Sequence, residues 1–292
     1  ARPERPPVTL GFVVDHYMTE YRYPASAREA AFVAELERFR GSGAREIMTR
    51  ALLVGGYAPD ATLLDGPDSL AELPTDRVLA LAPTPYLDDD LQRALVDWVR
   101  RGGRLLLSGP LPQHDLEGRP ATSLLDGLGV DVGVRDESGL EAMTYAATPG
   151  RTPFVAPSQI DGGWAWEGAE VAVGFAQPLA PRGPEGDTTP LAHLARTGET
   201  CVLEVGLGEG RVVLAAADLP CLPSIWDTLL ARLGAEPHVR VTTDSAGVVV
   251  VVPCRTPAGD EVVHGLNVSP WDASIALERD GRSLLAQPHP RP

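Results

Sequence analysis

Between Arg77 and Gly109 the chain reads strand, helix, strand. Arg77-Val-Leu-Ala-Leu-Ala82 is a short apolar run, a helix is predicted from Asp88 to Arg101, Gly102-Gly103 ends it, and Arg104-Leu-Leu-Leu-Ser108 is a second apolar run. Two such runs joined by one amphipathic helix make a βαβ unit, the building block of a parallel sheet. Asp88, Asp89 and Asp90 lie at the helix N-terminus, where the macrodipole favours anions. Leu91, Leu95, Trp98 and Val99 recur at i, i+4, i+7 and i+8, a stripe that should face the sheet. Arg100 and Arg101 fall in the last turn, and glycine supplies the left-handed cap. The turn after the first run is Pro83-Thr84-Pro85, which holds neither a nucleophile nor a glycine-rich phosphate loop.

A chain of 292 residues with 43% hydrophobic content can build a large domain, alone or with a small one. The 28 prolines and 30 glycines imply many loops. A formal charge of −15 argues against a nucleic-acid backbone or an anionic membrane as partner, because like charges repel. No apolar run reaches the roughly 18 residues that span a bilayer. The start, Ala1 to Pro7, has no apolar signal core and reads as a linker or a cut end. All 25 basic residues are arginine, which excludes a phosphate-loop or Schiff-base lysine. Cys201, Cys221 and Cys254 show no paired spacing, so neither a zinc site nor a disulfide framework is expected, and the expected compartment is a reducing cytoplasm. No cofactor is expected.

The rest of the chain supplies more elements. Val8 to Val14 is strand-like and ends in Asp15-His16, and a polar, tyrosine-rich loop runs from Tyr17 to Pro24. Ser26 and Glu29 have the spacing of a capping box before a helix with Ala30, Phe32, Val33, Leu36 and Phe39 on one side. A helix at about Arg45 to Val54 and a strand at Ala61 to Leu64 follow, and a short helix and strand are read between Leu124 and Val134. Asp136 to Asp187 is the least regular stretch, with a strand at Glu170–Phe175, and reads as an excursion or lid over a sheet edge. Thr200–Val205 and Gly210–Ala217 form a predicted hairpin. Its turn contains Gly206-x-Gly208-x-Gly210, which an alternating strand follows, so a dinucleotide loop is rejected. A helix over Pro223–Leu233, capped by Ser224 and Asp227, stops at Gly234. Beyond Glu236 four short runs between turns predict an antiparallel β domain: Val239–Thr242, Gly247–Val252, Glu261–Asn267 and Ala273–Glu278.

Candidate sites are few. Asp15 and His16 follow the first strand, where ligands gather in open parallel sheets. Asp65, Ser108, His114 and Asp218 are expected near the same edge. Together they suggest either a hydrolytic site or ordinary loop capping. Tyr17, Tyr21, Arg22 and Tyr23 crowd one loop of a chain with only 5% aromatics, which suits a sugar or partner contact, or packing within the domain. Trp164 and Trp166 are further stacking candidates. Cys221 precedes a helix but has no histidine base close in sequence, and reads as an inert thiol. Asn267-Val-Ser269 matches a glycosylation pattern by chance.

The order of these pieces resembles a known family. Leu10 to Tyr21, Leu95 to Gly109, Glu209 to Asp218 with the helix ending at Leu233-Gly234, and His264 to Pro270 are similar to the C-terminal, non-catalytic part of bacterial β-galactosidases of glycoside hydrolase families 42 and 35. The resemblance implies a middle domain like class I glutamine amidotransferases, without the catalytic cysteine, that is associated with trimers, and then a small β domain. It implies galactosidase chemistry in an upstream (β/α)₈ barrel, where two glutamates about 5 Å apart work by retention. In such barrels the acid/base glutamate follows an asparagine; here Val268 follows the chain's one asparagine, Asn267, so no catalytic residue is carried over.

The expected fold class is therefore α/β: a flavodoxin-like, amidotransferase-like, mostly parallel sheet flanked by helices, then a small antiparallel β domain. The expected division is 1–235, with an irregular insertion at about 136–187, and 236–292, with a loose proline-rich tail. The leading function is an accessory and oligomerisation portion of a β-galactosidase-like glycosidase, a homotrimer that meets galactosides or other glycans through its parent enzyme. A carbohydrate-binding module and a stand-alone hydrolase at the Asp15/His16 edge are the alternatives.

Overall fold

The computed structural model describes residues 2–3, 7–13, 44–133, 141–145, 170–173, 176–182, 187–194, 196–243, 249–267, 275–279 and 281–284. Its centre is a parallel array of five strands: β2 (Val8–Val13), β3 (Asp60–Leu64), β4 (Val78–Leu81), β5 (Arg104–Ser108) and β12 (Gly210–Ala215). They lie in the order β3-β2-β4-β5-β12. Numbered along the chain this is 2-1-3-4-5, the doubly wound order of flavodoxin-like sheets.

Alternation along the strands builds a core on each face. Val78 and Ala80 join Leu106, Val213 and the helices α1 (Ala44–Val54) and α4 (Pro223–Arg232) on one face. Leu79 and Leu81 join Leu105, Leu107, Val212 and the helices α2 (Asp89–Arg100) and α3 (Ser123–Leu128) on the other. The predicted stripe of α2 is buried throughout, with Leu91, Leu95, Trp98 and Val99 at 2% exposure or less. Asp88 caps that helix by accepting from the Leu91 N–H at 2.9 Å. Gly102, at φ 103°, follows its C-cap, Arg101.

The other half of the sheet is antiparallel. From β12 it continues β11 (Thr200–Leu207), β10 (Thr188–Leu194), β7 (Glu141–Tyr145) and β8 (Glu170–Val173). Strands joined by a tight turn must be antiparallel, and Leu207 faces Gly210 across the expected hairpin. Glu204 on β11 is buried and held by Arg232 of α4 at 2.5 Å and by Arg211 of β12 at 3.1 Å. β10 was not anticipated. Pro190 interrupts its pattern, and the register shifts there as at a bulge, the place where a strand tolerates proline. β7, β8 and β9, in the stretch read as an excursion or lid, are sheet strands. β7 and β8 form the far edge, and β9 (Leu179–Pro181) pairs with β6 (Val130–Val132).

The last part forms two antiparallel sheets around Val239, Val249, Val251 and Leu277. β13 (Arg240–Thr243), β16 (Ile275–Arg279) and β17 (Arg282–Ser283) make one. β14 (Val249–Arg255) and β15 (Glu261–Asn267) make the other, together with β1 (Arg2–Pro3). Arg2–Pro3, in the stretch read as a linker or a cut end, thus contributes a strand, with Pro3 opposite Cys254. The helix cap expected from Ser224 and Asp227 is also corrected. Leu222 is the N-cap and makes no side-chain cap, while Asp227 accepts from the Tyr57 hydroxyl at 2.6 Å. The predicted helix after Ser26 and the tail after Ala286 lie outside the described residues. Among the described residues no helix is long and apolar enough to cross a membrane.

Candidate functional site

Ligands of open parallel sheets bind beyond the carboxyl ends of the strands. Here that edge is followed by Asp65 after β3, the Pro83-Thr84-Pro85 turn after β4, Gly109 to Ala121 after β5 and Ala216 to Asp218 after β12. Asp15, His16, Tyr17, Tyr21, Tyr23, Trp164 and Trp166 lie outside the described residues.

The loops after β4 and β5 are closed onto one another, mostly by their own backbone. The Thr84 hydroxyl accepts from the Tyr86 N–H at 3.3 Å and donates to the Tyr86 carbonyl at 3.1 Å. The Pro85 carbonyl accepts from Gln113 and His114 at 2.8 and 3.0 Å, and Leu87 donates to the His114 carbonyl at 3.0 Å. The Tyr86 and His114 rings lie 5.3 Å apart at 35°. The loop after β4 is therefore zipped to the loop after β5.

Two buried amides complete the seal. The Gln92 Nε2 group donates to the carbonyls of Leu87 and Ala121 at 2.9 and 3.3 Å, and its Oε1 accepts from Leu124 at 3.2 Å. Gln177 Oε1 accepts from Leu111 at 3.4 Å. Gln92 is fully buried and Gln177 nearly so. Neither was singled out from the sequence. The one local signal for Gln92 is that it shares a helix face with Leu95, Val96 and Val99.

The carboxylate next to His114 in the chain is committed as well. Asp115 accepts from the N–H groups of Glu117 and Arg119 at 2.9 Å each and from Arg119 Nε at 2.6 Å. Burial pushes its carboxyl up, but these hydrogen bonds and the adjacent guanidinium outweigh burial and hold it below the usual carboxylate range.

Among the described residues, the geometry does not assemble the polar side chains of this edge into one hydrolytic group. Asp65 and Asp218 follow strands four places apart, a span of roughly 19 Å at the usual inter-strand spacing. Ser108 is 1% exposed within the sheet. The His114 Nδ1 atom is buried and makes no hydrogen bond, so no carboxylate orients the ring through that nitrogen. Burial pushes the Cys221 thiol up, and the opposing influence of Arg50 is smaller, so the nucleophilic thiolate is disfavoured. Among the described residues no three His, Cys, Asp or Glu side chains are placed to hold a metal ion.

Comparison with known proteins places this architecture. Residues 62–155 match the family model described as GLMA-like, second domain. No curated protein sequence matches the chain. In fold it is similar to a catalytic mutant of Gan42B, a GH42 β-galactosidase from G. stearothermophilus, with 10% identity and a TM-score of 0.59 over 95% of this chain and 41% of that one. It is also similar to a β-galactosidase from Bacillus circulans sp. alkalophilus, with 12% identity and a TM-score of 0.55 over 94% and 41%. A third match is the β-galactosidase from Rahnella sp. R3, with 11% identity and a TM-score of 0.51 over 94% and 41%. The chain thus shares its fold with these enzymes but spans only about 40% of their length.

Proposed function

We propose that this chain is the accessory, non-catalytic portion of a GH42 β-galactosidase-like glycoside hydrolase. The observation that carries the reading is the coverage. Nearly the whole chain superposes on these β-galactosidases, and well over half of each enzyme has no counterpart in it. The carboxyl edge supports it, because its loops after β4 and β5 are hydrogen-bonded to each other. In this reading an upstream (β/α)₈ barrel of the same polypeptide supplies the two catalytic glutamates. The α/β part holds three copies together, and glycans reach the protein through that barrel. Tyr17, Tyr21, Tyr23, Trp164 and Trp166, with Asp15 and His16, are its contacts to glycan or partner. The lack of a disulfide among the three cysteines fits a reducing, cytoplasmic setting.

The test is an assay of the purified chain on a chromogenic β-galactoside. No turnover above buffer is expected. Turnover that disappears on His16→Ala would sink the reading and restore the hydrolase alternative at the Asp15/His16 edge. Calorimetry with galactosides separates the remaining alternative: heat at millimolar ligand that is lost on Trp164→Ala makes the chain a sugar-binding module.

A further inference from the structure

Two arginines stand side by side where the parallel strands begin. Arg104 opens β5, Arg211 lies at the start of β12, and the ladder between the strands pairs them directly. Paired residues of neighbouring strands share a face, and like charges set opposite each other destabilise a sheet. The face is that of α4, because Leu106 and Val213, two residues further along each strand, pack with Leu229 and Leu230. The end of the same helix adds a third arginine, Arg232.

These groups meet at that helix end. Arg211 Nη1 donates to the Arg232 carbonyl at 3.2 Å. A methyl group on Gly234, two residues further on, would sit 3.1 Å from Arg104 Nη1. Glu204 of β11 lies opposite Val213, on the same face. Its carboxylate is already divided: Oε1 faces Arg211 at 3.1 Å, and Oε2 accepts from Arg232 Nε at 2.5 Å. Arg104 makes no hydrogen bond or ion pair among the described residues. Two other acids are close in sequence. Glu209, on the hairpin turn, lies beside Gly102 past the end of α2, and Glu236 has an interaction of its own.

Three guanidinium groups thus share one carboxylate and the partial negative charge of a helix C-terminus. In a chain with a formal charge of −15, this corner carries a local excess of positive charge. Arg211 is 52% exposed and Arg232 33%, and Arg104 is partly exposed, so an anion from solvent can reach all three. Guanidinium forks match the oxygens of carboxylates and phosphates two at a time.

We propose that Arg104, Arg211 and Arg232 form a site for a small oxyanion, a phosphate or a carboxylate, at the amino ends of β5 and β12 beside the end of α4. A bound oxyanion relieves the repulsion between Arg104 and Arg211 and supplies acceptors beyond the two oxygens of Glu204. The site lies at the opposite end of the strands from the loops after β4 and β5, so it stands or falls independently of the accessory role.

Thermal unfolding of the chain at pH 7 in inorganic phosphate, against sodium chloride at equal ionic strength, reads the site. The expected result is a rise in Tm of about 2–4 °C that saturates in the millimolar range. Arg104→Gln should act with opposite signs in the two salts. In chloride it is at least as stable as wild type, because a like-charged neighbour is gone. In phosphate it keeps only the small, non-saturating rise that exclusion of the salt from protein surfaces gives. Circular dichroism checks that the variant keeps the fold, and calorimetry of the wild-type chain with phosphate should show one saturable site per chain. Succinate in place of phosphate separates the two sources, since the anion that saturates at the lower concentration names the ligand chemistry. The proposal is overturned if neither anion raises Tm above chloride, if Arg104→Gln keeps the whole shift, or if calorimetry shows no saturable heat with either anion. An Arg104→Gln chain less stable than wild type in chloride also overturns it, because Arg104 is then a supporting side chain of α4.

Discussion

A methyl group on Gly210 would sit 1.9 Å from the Val99 carbonyl oxygen and 2.4 Å from that of Gly103. Both are backbone atoms at the C-terminal end of α2, so neither can swing away. Gly208 is similarly confined, at φ 60° and with its Cβ position 2.6 Å from the Arg100 carbonyl oxygen. The spacing Gly206-x-Gly208-x-Gly210 was legible as a hairpin turn because an alternating strand follows it. That the turn lies against the end of a helix more than a hundred residues earlier was not legible, since nothing local in the sequence records that approach. Gly210→Ala is expected to destabilise by on the order of 2–3 kcal/mol, read as a lower urea midpoint at unchanged slope. A midpoint within error of wild type would mean that the hairpin stands clear of α2.

At the scale of the element, α2 and β10 are opposite cases. In α2 the Asp88 cap, the Leu91-Leu95-Trp98-Val99 stripe and the glycine stop agree with one another, and the helix found matches the one expected to within a residue at each end. Leu95 is completely buried. Leu95→Ala should therefore cost on the order of 2–5 kcal/mol in urea denaturation; a loss below about 1 kcal/mol would place that side chain outside the core. In β10 local signals conflict. Pro190 argues against a strand, and two neighbours, β11 and β7, make it one all the same. The element exists because those strands offer it a ladder on each side. Polar residues follow the same logic. Gln92 and Gln177 are buried because the carbonyl and N–H groups they satisfy converge from distant loops.

Across the whole molecule, the α/β part and the small sheets meet at Tyr57, Asp227 and Arg240. The buried Tyr57 hydroxyl donates to Asp227 on α4, and Arg240 of β13 lies 3.7 Å from the same carboxylate. Beside them, Gly56 at φ 81° leaves only 2.1 Å between its Cβ position and the Val239 carbonyl oxygen. Asp227→Ala should weaken this junction by about 1–3 kcal/mol. Hydrogen exchange should then show amides of β13, β14 and β15 losing protection before those of β4, β5 and β12. Equal loss across both groups would show that the two parts open as one unit.

Periodicity and capping are local, so the chain alone determined where its described α-helices and most described strands run, that the centre is a parallel α/β sheet, and that a β-rich part follows. Adjacency is not local. Only the tertiary structure decided that the sheet continues beyond the β11–β12 hairpin through β10, β7 and β8, and that Arg2–Pro3 completes a sheet with β14. It also decided that the loops past β4 and β5 close on each other. Each of these depends on backbone groups finding partners far along the chain, and a buried N–H or carbonyl takes whichever partner the packed fold brings within reach.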